Sequence, residues 1–138
     1  MPPIQPHKKS IGPRELTIMM ASLMALNALA IDAMLPAFPA MIEGLSVKNA
    51  NDIQYVISVF LAGTGIGALI YGPLSDRYGR KPILLVATVG AAIFSLACSI
   101  SPTFEIMLAM RFAHGLMAAA MAVLVISVIR DQFEGDAM

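Results

Sequence analysis

Apolar positions gather in four long runs, at about 16–42, 53–74, 83–100 and 104–129, set apart by short clusters of glycine, proline and charge. None of the runs alternates apolar and polar residues in the segments of about ten that mark a barrel strand. Each is long enough, at about 1.5 Å per residue, to cross a hydrocarbon layer of about 30 Å or come close to it. Lipid offers no water to unpaired backbone groups, so each run is expected to be helical. The connections are short, at 44–52, 75–82 and 101–103. The pattern therefore predicts an all-α membrane protein: a tail over 1–15, a unit of four transmembrane helices over 16–131, and a short end over 132–138.

Composition supports a bilayer as the solvent. Of 138 residues, 58% are hydrophobic and 13% charged, about half the charged share of a soluble domain. The formal net charge is zero, so only the placement of charge carries information. Lys8, Lys9, Arg14, Arg77, Arg80, Lys81 and Arg130 fall on the side of the amino terminus, and Lys48 alone lies in an opposite connection. By the positive-inside rule both ends are expected in the cytoplasm. The first run follows several bases but is too long for a signal peptide and contains an acid. A single cysteine, Cys98, within an apolar run excludes a disulfide inside the chain and reads as a small buried hydrophobe.

Ionisable groups inside spans are costly unless paired or wetted, which makes them functional candidates. Asp32 lies roughly 14 Å from one end of the first span and Arg111 roughly 10 Å from the same side of the fourth, at about 1.5 Å per residue. Opposite sign and similar depth suggest a shared polar cavity in which the two interact directly or through water. His114 follows Arg111 by three residues and could line that cavity. Asn27 lies more than one turn before Asp32 and need not share its face. Gly63 and Gly67 on the second span, and Gly115 with Ala118, Ala119, Ala120 and Ala122 on the fourth, present small surfaces that let helices approach closely. No nucleophile with a base and no metal-ligand spacing emerges, and residues 72–81 lack a phosphate-loop pattern, so an enzyme is not expected.

The most charged connection reads GPLSDRYGRKPILL. It resembles the signature between the second and third helices of the major facilitator superfamily: Gly72, Leu74, Asp76, Arg77, Gly79, Arg80, Lys81 and Leu84 match at fixed spacing, with Ser75 at a small-residue position. RFAHGLMAAA resembles the fourth-helix pattern through Arg111, Gly115, Ala118 and Ala119, with His114 where glutamine is usual and Met117 where glycine is usual. AIDAMLPAFPAM resembles the first helix of drug/proton antiporters, closest to the Bcr/CflA drug-resistance subfamily, through Asp32, Leu35, Pro36 and Pro39.

The resemblance implies a twelve-helix fold in two halves built from three-helix repeats, of which this chain would supply the first four helices. It implies proton-coupled efflux of small amphipathic drugs across a bacterial inner membrane, with protons, a drug-like substrate and the lipid bilayer as partners, alongside the remaining helices or other copies of the chain. No cofactor beyond the proton gradient and no nucleic acid are expected. Asp32, Arg111, Asn27 and His114 would face the proton and substrate cavity. Gly72, Asp76, Arg77, Gly79, Arg80 and Lys81 would form a conformational gating loop, with Asp76 beside a helix end of the other half and Arg80 paired to Asp131. The alternatives are a metabolite transporter of the same superfamily, or a four-helix membrane protein acting as an oligomer or without transport.

Overall fold

In the computed structural model the described residues are 12–134, the side chains of residues 13 and 128–134 excepted. The elements are α1 (Pro13–Asp32), α2 (Phe38–Gly44), α3 (Tyr55–Tyr78), α4 (Arg80–Ser99) and α5 (Phe104–Glu134), with 3-10 turns at Leu35–Ala37 and Ala50–Gln54. No strand occurs among the described residues. Four segments have the length and apolarity of a membrane span: Arg14–Gly44, Ala50–Tyr78, Arg80–Ser99 and Phe104–Ser127.

The first apolar run, expected as one helix over 16–42, is two helices. Proline has no N–H, so Pro36 removes the donor that the Asp32 carbonyl would take in a continuous helix, and Pro39 does the same to Leu35. The chain answers with a tighter turn, in which the Ala37 N–H donates to the Met34 carbonyl at 2.9 Å. It then resumes as α2, with Pro39 in the first turn, where a missing donor costs nothing.

The connection expected over 75–82 is also different. α3 continues through Tyr78 and α4 starts at Arg80, leaving Gly79 as the single non-helical residue between them. Gly72, Asp76 and Arg77 thus lie on the last turns of α3, and Arg80 and Lys81 open α4. Pro82 is accommodated in the first turn of α4, whose N–H groups have no helical acceptor. Gly79 reverses the chain with φ 87° and ψ 151°, a region essentially closed to residues with a Cβ. Gly79→Ala is therefore expected to lower stability by about 1–3 kcal/mol, read from reversible unfolding in mixed micelles. A change near zero would show that the corner can relax into another turn.

α5 is the central helix. Half of its spanning window is buried, against 11–28% for the other three. α3 lays one stripe against it: Val56, Phe60, Gly63, Gly67, Tyr71 and Ser75 are buried at spacings of three or four residues, the spacing that keeps side chains on one helical face. α4 packs on another side through Ile83, Ala87 and Ala91, and α1 touches α5 more lightly. The core forms three clusters along this axis. Met34, Ile53, Val56 and Met107 fill the end beside the Ala50–Gln54 turn. Phe60, Ala91, Ala118 and Met121 fill the middle. Tyr71, Ile83, Ala87, Ala119, Ala120 and Leu124 fill the end beside Gly79.

The outward faces are apolar too: Leu69, Leu96 and Ile100 are 79%, 71% and 81% exposed. In water such surface would drive aggregation. Here it meets lipid tails, which leaves close packing, rather than exclusion of water, to hold the helices together.

Candidate functional site

The tightest helix contact lies between α3 and α5. A Cβ built on Gly115 would fall onto the Phe60 backbone, one on Gly63 onto the Phe112 carbonyl, and one on Gly67 within 2.6 Å of both the Ala119 Cβ and the Leu116 carbonyl oxygen. Glycines on each helix therefore receive the backbone of the other. Gly65, between the two α3 glycines, has nothing within 4 Å of the same construction and lies on the exposed side. This close approach fixes the depth and rotation of α5, and with them its polar residues.

Two of those residues are enclosed. Arg111 is 7% and His114 5% exposed. The Arg111 Nη1 lies 3.3 Å from the His114 Nδ1, a contact their spacing of three residues on one helix makes natural. Arginine has only donors, so the Nδ1 accepts, and a neutral His114 then carries its proton on Nε2. The edge of Phe60 packs against the imidazole, with ring centroids 5.2 Å apart and planes inclined by 66°. The guanidinium Nε is buried without a hydrogen-bond partner. No carboxylate among the described residues forms an ion pair with Arg111, which leaves a permanent charge in the bundle only partly satisfied.

Asp32 is not brought to it. The acid is exposed at the end of α1, and no contact between it and Arg111 forms. The expected direct pairing is absent for a rotational reason. Asn27 and Asp32 are five residues apart, about 140° around a helix of 3.6 residues per turn, and it is Asn27 that faces inward. Its Oδ1 is buried without a partner. Asn27 and His114 line a common cleft of about 370 Å³ between α1, α4 and α5, whose wall also carries Thr88 and Ser95. Those two residues are seven apart on α4 and so share a face; only that spacing would have pointed to them in the sequence.

At the other end, Arg80 donates from Nη1 to the Ser127 carbonyl at 2.8 Å, tying the start of α4 to α5. The Asp131 side chain, the acid matched to Arg80 by family pattern, lies outside the described residues. Asp76, Arg77 and Lys81 are exposed, with the Arg77 guanidinium 5.4 Å from the centre of the Tyr78 ring. Ser75 is buried, its hydroxyl donating to the Gly72 carbonyl at 2.8 Å. Ser127 carries no sequence signal, because it acts through its backbone.

The sequence is similar to those of known proteins. The chain is 38% identical over 120 residues to an uncharacterized MFS-type transporter, YdgK, of Bacillus subtilis, covering 87% of this chain and 30% of the relative. It is 34% identical over 110 residues to a chloramphenicol resistance protein of Pseudomonas aeruginosa, covering 80% of this chain and 26% of the relative. It is 32% identical over 106 residues to a bicyclomycin resistance protein homolog of Haemophilus influenzae, covering 77% of this chain and 26% of the relative. The chain thus spans less than a third of the length of these curated relatives. No solved structure gives a significant match. The family model described as Major Facilitator Superfamily matches residues 20–137. Four apolar helices, a glycine-packed helix pair and a sequence match along nearly the whole chain lead to one conclusion: the chain belongs to the Major Facilitator Superfamily of membrane transporters.

Proposed function

We propose that this chain is part of a proton-coupled exporter of small amphipathic drugs, set in a bacterial inner membrane with both of its ends in the cytoplasm. The observation that carries the reading is the placement of Asp32: a carboxylate within a membrane span, at the point where α1 breaks, and exposed on the surface of the four-helix unit. A charged carboxylate is tolerated there only when hydrated or paired, and its neutral form enters apolar surroundings far more easily. A group in that position can take a proton in one state of a transporter and release it in another. Two of the three relatives described above carry names of resistance to chloramphenicol and bicyclomycin, which supports a drug as cargo. In the same reading Gly72, Asp76, Arg77, Gly79, Arg80 and Lys81 form a gating corner, in which Arg80 latches α4 to α5 through Ser127 and Asp131.

The test is a proton flux stimulated by chloramphenicol in vesicles containing the protein. Asp32→Asn is expected to reduce that flux to the level of empty vesicles while leaving drug binding measurable. Unchanged flux in the variant would remove Asp32 as the proton site. Flux driven by a polar metabolite, with no response to drugs, would instead make the protein a metabolite transporter of the same family.

A further inference from the structure

We propose that a cleft at the end of the bundle opposite Gly79 binds the phosphoethanolamine headgroup of a phospholipid, with its ammonium on Asp52 and Glu105 and its phosphate on Lys48. The cleft has no part in the export reading above and shares no residue with the surroundings of Arg111 and His114. Its volume is about 450 Å³, and it lies between the end of α2, the 3-10 turn Ala50–Gln54 and the start of α5. Three of the four spanning segments end beside it, at Gly44, Ala50 and Phe104. A bilayer sets the ends of its spans at the level of the polar headgroups, so the ligand that this cleft meets at high concentration is a headgroup.

The wall combines apolar and charged residues. Leu45, Val47 and Phe104 are its apolar part, and Leu45 and Phe104 also pack on the core formed by Met34, Ile53, Val56 and Met107, which ties the cleft to the folded bundle. Lys48, Asp52 and Glu105 carry the charge. Lys48 and Glu105 are exposed and Asp52 is half-buried. Among the described residues no ion pair joins Lys48 to either acid, and Asp52 has one long contact, from the Asn49 Nδ2 at 3.4 Å. A base and two acids that share a cleft without pairing are left to receive a ligand that carries both signs.

Chemistry narrows the headgroup. An anion alone would meet two carboxylates, whereas a zwitterion satisfies both acids and the base. Ionised carboxylates only accept hydrogen bonds, and a primary ammonium brings three donors. A trimethylated headgroup brings none. Hydrogen bonds between charged partners are about twice as strong as neutral ones, so the acids favour the primary amine over its trimethylated counterpart. The apolar residues offer contact to the first carbons of an acyl chain. A free headgroup lacks those carbons, so the lipid is the favoured source of this chemistry.

The experiment is native mass spectrometry of the purified, delipidated protein in detergent, titrated with phosphatidylethanolamine, phosphatidylcholine or phosphatidylglycerol of the same acyl chains. Phosphatidylethanolamine is expected to add one equivalent about tenfold more tightly than either of the others, the change that about 1.4 kcal/mol produces. Asp52→Asn with Glu105→Gln is expected to lower phosphatidylethanolamine to the level of phosphatidylcholine and to leave phosphatidylcholine where it was. A misfolded variant would not show that loss of preference alone. Lys48→Gln is expected to weaken both zwitterionic lipids alike, since both carry the phosphate. The proposal is overturned if phosphatidylcholine or phosphatidylglycerol binds the unaltered protein as tightly as phosphatidylethanolamine, or if the double variant keeps the preference. Soluble glycerophosphoethanolamine binding as tightly as the lipid would overturn the lipid as ligand. Displacement of the bound lipid by equimolar calcium would overturn the headgroup site in favour of a divalent cation held by the two acids.

Discussion

Gly115→Leu is expected to leave no folded protein. At this position even the first added carbon would fall onto the Phe60 carbonyl oxygen, carbonyl carbon and Cα of α3, and a backbone cannot rotate aside as a side chain can. Overpacking by one or two carbons in a tight interior costs about 1–3 kcal/mol, and Gly115→Ala is expected within that range. Leucine forces the two helices apart over several turns, because Gly63 and Gly67 depend on the same close approach. In lipid no exclusion of water opposes that separation, so the pair depends on the close packing that leucine removes. The measurement is size-exclusion profile and protease resistance in detergent, with Gly65→Leu as control. Gly65 has open space on its side, and its leucine variant is expected to behave like the unaltered protein. A monodisperse, protease-resistant Gly115→Leu would mean that α3 and α5 do not meet this closely.

Arg111→Met is expected to abolish flux and drug binding while making the protein more stable. The guanidinium is 7% exposed, its Nε has no partner, and its Nη1 has an imidazole nitrogen, rather than an anion, as acceptor. Replacing even a buried ion pair by apolar side chains is often neutral or stabilises by about 1–4 kcal/mol, an unpaired guanidinium has less to offset its desolvation, and methionine fills irregular space well. Function goes the other way. Without the guanidinium His114 loses the donor that sets its tautomer, and the proposed substrate cavity loses its buried positive charge. Reversible unfolding in mixed micelles, paired with flux and binding on the same preparation, checks both halves. A variant that is inactive and also less stable would show that Arg111 has a structural anion elsewhere in the assembled transporter.

Much of this was legible in the residues. Hydropathy located four spans because a bilayer imposes a length as well as a composition. The glycines at 63, 67 and 115 pointed to a close helix contact because small residues let another helix approach closely. Boundaries were less legible where charge marks the edge of the membrane instead of the end of a helix. The bases and the acid around Arg77 leave the lipid while the backbone keeps its helical hydrogen bonds, so an expected eight-residue connection is one glycine. The prolines at 36 and 39 were visible, yet whether they bend a helix or divide it depends on which donors neighbouring turns can supply. The absence of a direct Asp32–Arg111 contact has a related reason. Sequence position gives depth along a helix, whereas contact also needs rotation about its axis, and that is set by tertiary packing. For Thr88 and Ser95 the spacing of seven gives a shared face of α4, but which cleft that face lines depends on how the helices pack.

The corner at Gly79 has a mechanical consequence. A flexible loop between two helices absorbs rotation, because slack lets one turn while the other stays. A single residue leaves only two dihedrals to take up that rotation. If α4 swivels, the motion passes into α3 through the elbow, or into α5 through the Arg80 tie to the Ser127 turn. In the transport reading proposed above, these helices would act as a crank, in which torque applied at one shaft is delivered to the others. The shortness of that joint, together with the Arg80 tie, would keep the opening of one side of a transporter in step with the closing of the other.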